Sequence, residues 1–85
     1  METKQAYQEG IEAEINKLQE KIETIRADTE AGQTAVIDKL EEKRSEAEHR
    51  LEELKAAQQT AWRELKPGVD SAIYELENAV ERAAS

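Results

Sequence analysis

The chain has 85 residues, is 38% charged and 38% hydrophobic, and carries a net charge of −8 with no Cys and no Phe. Without Cys there are no disulfides, no thiol chemistry and no Cys-zinc site. The acidic balance runs against nucleic acid and anionic membrane surfaces, both of which call for Lys and Arg to meet phosphates, and no apolar run reaches the ~18 residues of a membrane span.

Segment by segment no part of the chain is basic, so a nucleic-acid partner is not expected and a membrane partner is disfavoured. Glu, Lys, Ala, Leu and Arg dominate, the composition of long helices and coiled coils. The opening METKQAYQEGIEAE has no apolar run of the secretory type, so a cytoplasmic location is expected.

Thr3 can cap a helix start. Beyond it Ile11, Ile15, Leu18, Ile22 and Ile25 alternate at spacings of four and three, which is the seam of a heptad repeat. Tyr7 extends that stripe by one turn. Gly10 lies inside it and costs about 1 kcal/mol against Ala.

A second seam contains Ile37, Leu40, Arg44, Ala47, Leu51, Leu54, Gln58, Ala61 and Leu65. It is out of phase with the first, because Ile15 to Ile37 spans three heptads plus one residue. The slip falls in RADTEAGQTAV, residues 26–36. Two structures accommodate it. A continuous coiled-coil helix over about 3–66 would absorb the slip as a skip residue. Alternatively, the chain turns at Gly32, with Thr34 capping the next helix, and forms a hairpin. Opposite charges at helical spacing (Glu14–Lys17, Glu23–Arg26, Glu41–Arg44, Glu46–Arg50 and Glu52–Lys55) support helix in either case.

Lys66–Pro67–Gly68 predicts the boundary between the long helix and a short final one. Proline lacks an N–H and disfavours helical geometry in the residue before it. Val69, Ala72, Ile73, Leu76, Ala79, Val80 and Ala83 then mark an amphipathic helix over about 69–84, entered by a full reversal or by a kinked continuation, since the stripe drifts across the break through Leu65, Val69 and Ile73. Trp62 is expected either to seal the corner between the two helices or to anchor a partner. Trp62, Pro67, Gly68, Val69, Ile73, Leu76 and Val80 therefore form the candidate corner or docking surface.

In the same region, Leu51, Leu54, Ala61, Trp62, Leu65, Lys66, Gly68, Val69 and Ala72 follow the pattern L-x-x-L, then A-W-x-x-L-K-x-G-V-x-x-A. This resembles the end of small, largely uncharacterised bacterial coiled-coil proteins sometimes grouped with stress-induced proteins, and AYQEGIEAEINKLQEKIETI looks like their N-terminal helix. The chain departs from the pattern at Pro67, where such proteins usually keep a helix-compatible residue, and at Thr60, where an acidic one is common. The resemblance implies helical architecture and a stress role, not a reaction.

No constellation for catalysis, cofactor or metal emerges. His49 falls at an outer heptad position without a nucleophile or metal partner. Glu46 and His49 have the Glu-x-x-His spacing of di-iron bundles, but only once. Glu12, Asp38 and Glu42 are single carboxylates, and Gly10, Gly32 and Gly68 are isolated rather than a phosphate loop. Ser45, Ser71 and Ser85 have no base placed with them. Arg44 and Gln58 sit at seam positions, either as imperfect core or as polar residues that fix register.

The expected molecule is a single all-α coiled-coil domain without enzymatic activity. Its seam residues Ile11, Ile15, Leu18, Ile22, Ile25, Ile37, Leu40, Leu51, Leu54 and Leu65 would bury against a second copy or another helical protein. The alternatives are an adaptor docking its C-terminal helix on a larger protein, and an amphipathic protectant that coats membranes or client proteins.

Overall fold

The computed structural model describes residues 3–28 and 34–84. They form three α-helices: α1 (Lys4–Asp28), α2 (Thr34–Ala56) and α3 (Trp62–Ala84). Every pair of helices is in contact. Lys55 of α2 meets Glu12 near the start of α1, while Arg26 near the end of α1 meets Glu41 near the start of α2, so α1 and α2 are antiparallel. Tyr7 meets Asp70 at the corresponding ends of α1 and α3, so these two are parallel. The bundle measures 46 × 18 × 16 Å.

The continuous helix over 3–66 is therefore corrected: the chain reverses between Asp28 and Thr34, and α1 packs on α2. The turn residue expected there, Gly32, lies outside the described residues. Thr34, expected as a cap, is the first residue of α2. Thr3 does cap α1, its Oγ1 accepting from the Ala6 N–H at 3.1 Å.

The reason for the reversal is burial. Each helix carries one apolar stripe, and the three stripes close on one another. Ile15, Leu18 and Ile22 from α1, Ile37, Leu40, Ala47, Leu51 and Leu54 from α2, and Trp62, Val69, Ala72, Ile73, Leu76 and Val80 from α3 are all buried in one cluster with Tyr7. A single extended helix without a partner would leave all of these in water, at about 1.5–3 kcal/mol for each large side chain.

The second correction concerns the last helix. It begins at Trp62, not near residue 69, and Lys66–Pro67–Gly68 lies inside it. The chain reverses instead around residues 57–61, with no cis peptide bond and no positive-φ residue among the described ones. Tight backbone bonds make the turn: Ala57 N–H to Leu54 C=O at 3.1 Å, Ala61 N–H to Gln58 C=O at 2.9 Å and Trp62 N–H to Gln58 C=O at 3.2 Å. The end of α2 is also capped from a distance. The Lys4 ammonium donates to the carbonyls of Lys55 (2.8 Å) and Ala57 (2.7 Å), where a cation complements the negative end of the helix dipole.

Pro67 is accommodated because it stands in the second turn of α3. The first four N–H groups of a helix have no intrahelical acceptor, so the ring removes a bond just beyond that region. Its would-be acceptor residue, Arg63, is exposed, as is Pro67, and water can take up the carbonyl.

Four of the five expected charge pairs form: Glu23–Arg26 (3.2 Å), Glu41–Arg44 (2.8 Å), Glu46–Arg50 (3.1 Å) and Glu52–Lys55 (3.4 Å). Glu14–Lys17 is not formed among the described residues.

Two substitutions test this packing. Ile22 is fully buried and Leu65 is 37% exposed. Ile22→Ala should cost about 2–5 kcal/mol in urea unfolding, and Leu65→Ala less than about 1 kcal/mol. A Cβ at Gly10 would meet nothing within 4 Å, so Gly10→Ala should add about 0.5–1 kcal/mol by helix propensity alone.

Candidate interaction surface

The expected seam residues lie within one chain rather than between two. Ile15, Leu18, Ile22, Ile37, Leu40, Leu51 and Leu54 are buried, Ile11 and Ile25 are half-buried, and Leu65 stands at the surface. The expected corner or docking group divides in the same way. Trp62, Val69, Ile73, Leu76 and Val80 are core, Gly68 is half-buried against α2, and Pro67 is exposed. A partner reaching the buried members of either group would have to open the bundle.

Trp62 and Tyr7 build the junction at the closed end. Their ring centroids lie 5.7 Å apart with planes tilted by 36°, the offset geometry aromatic pairs favour. The Arg63 guanidinium sits 5.6 Å from the Trp62 ring centre and the Lys66 ammonium 5.1 Å from that of Tyr7, within cation–π range. The Tyr7 hydroxyl donates to the Asp70 carboxylate and lies 3.3 Å from the Lys66 carbonyl oxygen. One tyrosine thus fills core with its ring and fixes the register of α1 on α3 with its hydroxyl.

A polar edge joins α1 to α2. The Arg44 guanidinium bonds to Glu41 through two nitrogens (2.8 and 3.2 Å) and to Glu48 through a third (2.6 Å), while Arg26 reaches Glu41 across the interface at 3.0 Å. Arg44 thus snorkels from its seam position to a carboxylate network. Gln19 donates to Glu23 at 2.8 Å, and its carbonyl oxygen is buried with no donor among the described residues. The Arg44 bond holds the Glu41 carboxyl below its ordinary value of 4.5, outweighing burial, and the Glu41 bond in turn raises Arg44. Lys55 is raised by its bond to Glu12.

The other candidate side chains remain apart. His49 is 76% exposed, its Nε2 3.3 Å from Glu53, and Glu46 is engaged by Arg50. Glu42, Ser45, Glu46, His49, Arg50 and Glu53 line a shallow surface hollow on one face of α2. Glu12 pairs with Lys55 at 2.9 Å, Asp38 and Ser71 are exposed on different helices, and Gln58 is in the turn before α3. No group of three or more His, Asp or Glu side chains able to hold a metal occurs among the described residues.

Two apolar features face outward. At the end of the bundle away from Trp62, Val36, Leu40, Ala79 and Ala83, with Lys39 and Arg82 at the rim, form an open notch of about 260 Å³. On α3, Tyr74 is 65% exposed. At 3.6 residues per turn it shares its face with Pro67, Ser71 and Asn78. Sequence reasoning did not single out Tyr74 or Tyr7 as sites. The signal was there: Tyr74 falls off the stripe of Val69, Ile73, Leu76 and Val80, whereas Tyr7 extends that of Ile11.

Comparison with protein-family models, curated proteins and solved structures returns no match to this chain. The resemblance to small coiled-coil proteins rests on the quoted residues alone. Among the described residues, no helix is long and apolar enough to cross a membrane.

The junction and the polar edge each generate a prediction. Tyr7→Phe should cost about 1 kcal/mol of unfolding free energy while leaving Trp62 buried, read as unchanged tryptophan emission. Glu41, with its lowered value, contributes stability that is present above 4.5 and lost as pH falls through its folded value. Glu41→Gln should therefore lower stability at pH 7 and flatten the loss seen on acidification below pH 4.5 in chemical unfolding.

Proposed function

We propose that this chain is a non-catalytic helical-bundle module that works by binding another protein, and that it does so through the outer face of α3. One contrast supports the reading. The chain has three aromatic residues; Trp62 and Tyr7 are locked in the core at 3% and 7% exposure, and Tyr74 stands in solvent at 65%. Exposed aromatics surrounded by polar residues are the usual anchors of protein interfaces, because a ring brings a large apolar area at low entropic cost. Pro67, one heptad earlier on the same face, adds rigid apolar surface.

On this reading the adaptor role belongs to the solvent side of the C-terminal helix instead of its buried stripe. Self-association stays compatible with the proposal, but would draw on Tyr74, Val36 or Leu65 instead of the seams. A cytoplasmic setting and a stress role belong to the same proposal, the first on composition and the second on the resemblance of the Ala61–Ala72 block.

The test is site-specific cross-linking in the source cell from a photoreactive residue at position 71, with and without Tyr74→Ser. The substitution should leave the melting temperature within about 2 °C, as surface changes do, and abolish a defined cross-linked product. A product formed equally by the variant would remove the α3 face from consideration.

A further inference from the structure

Helices α2 and α3 fill the groove between them at one end and leave it open at the other. Near the start of α3, a Cβ added at Gly68 would lie 3.1 Å from the Arg50 guanidinium. Toward the end of α3 the positions that face α2 are Ala79 and Ala83, one turn apart on the same side. Their methyl groups leave the notch of about 260 Å³ unfilled. Its apolar lining is continuous with the core: Leu40 is buried, and Ala79 and Ala83 pack half-buried against the same cluster. Val36 is the outer wall, 43% exposed.

The rim has the opposite sign to the molecule. The chain carries a net charge of −8, yet the side chains lining the notch include Lys39 and Arg82 and, among the described residues, no carboxylate. Both cations are exposed. Three other surface hollows each hold two or three glutamates. At physiological salt, charges more than about 8 Å away are largely screened, so the rim and not the net charge decides what the notch attracts. The space sets the size of the occupant. A water takes up about 30 Å³ and a methylene a similar volume, so about eight carbons fill the notch.

We propose that the notch binds a free medium-chain fatty acid, its chain laid on Val36, Leu40, Ala79 and Ala83 and its carboxylate accepting hydrogen bonds from Lys39 and Arg82. A carboxylate accepts from an ammonium and a guanidinium at once, and such charge-assisted bonds are the stronger kind. The two features are needed together. The apolar lining alone would take an alcohol of the same length equally well, and the net charge alone would favour an amine. The notch shares no residue with the Tyr74 face, so either assignment stands or falls without the other.

The experiment is a titration of the isotope-labelled protein with octanoate, octanol and octylammonium, followed by backbone amide NMR. Octanoate should give saturable shifts centred on residues 36–40 and 79–83. Octanol should bind several-fold more weakly, and octylammonium should give no localised response. Lys39→Gln combined with Arg82→Gln should weaken octanoate about fivefold, since exposed charge pairs each contribute modestly. Ala83→Leu should fill the notch and abolish the shifts while the amides around Trp62 keep their positions. Octanoate shifts that spread over the whole bundle or never saturate would overturn the proposal, as would equal binding of octylammonium. Both are read in the parent protein, so the matter is decided even where a variant folds poorly. Unchanged octanoate binding in the double variant counts against it in the same way. Shifts of the same amides with protein concentration alone would assign the notch to a second copy of the chain and overturn it too.

Discussion

Burial of Trp62 against Tyr7 is the contact on which the arrangement turns. Trp62 is the first residue of α3 and Tyr7 stands in the first turn of α1, so joining them brings the N-terminal ends of these helices together. That juxtaposition requires α2 to run the other way. It also puts Lys4 beside the last carbonyls of α2, where it caps them, and sets Tyr7 level with Asp70. Everything further along α1 and α3 inherits this register.

Much of the core was legible in the sequence, and part of the topology was not. The heptad stripes over Ile11–Ile25 and Ile37–Leu54 identify the buried faces of α1 and α2, because burial requires helical periodicity whether the partner is the same chain or another. For that reason the stripes alone could not say that the chain would be its own partner. The one-residue slip between Ile15 and Ile37 marks the first reversal. A similar shift between Leu54 and Trp62, across the polar residues Gln58, Gln59 and Thr60, marks the second. There the proline drew attention to the wrong place. Pro67 is a strong local signal, but its cost falls away in an early turn on the solvent side. The real turn carries no Gly or Pro and depends on contacts from a distant residue, Lys4, which local reasoning could not supply.

The surface was less legible than the core for a related reason. Periodicity reports what must be hidden, and a candidate partner surface read from it consists of the residues the fold itself consumes. Trp62, Val69, Ile73, Leu76 and Val80, which the sequence groups as a corner or docking surface, form the third wall of the bundle. What remains for a partner is what breaks the stripe. Tyr74 is off-phase by that criterion, and so is Val36 at the open end. The proposed binding face follows from this subtraction, and its acidic surroundings define the charge a partner would have to tolerate.

The central claim is that one chain closes its own three stripes. Small-angle scattering combined with sedimentation at micromolar concentration tests it most directly. The account predicts a monomer of 9.6 kDa with a radius of gyration near 14.1 Å and a maximum dimension near that of the bundle. A rod approaching the ~100 Å of a continuous helix over 3–66 would contradict it.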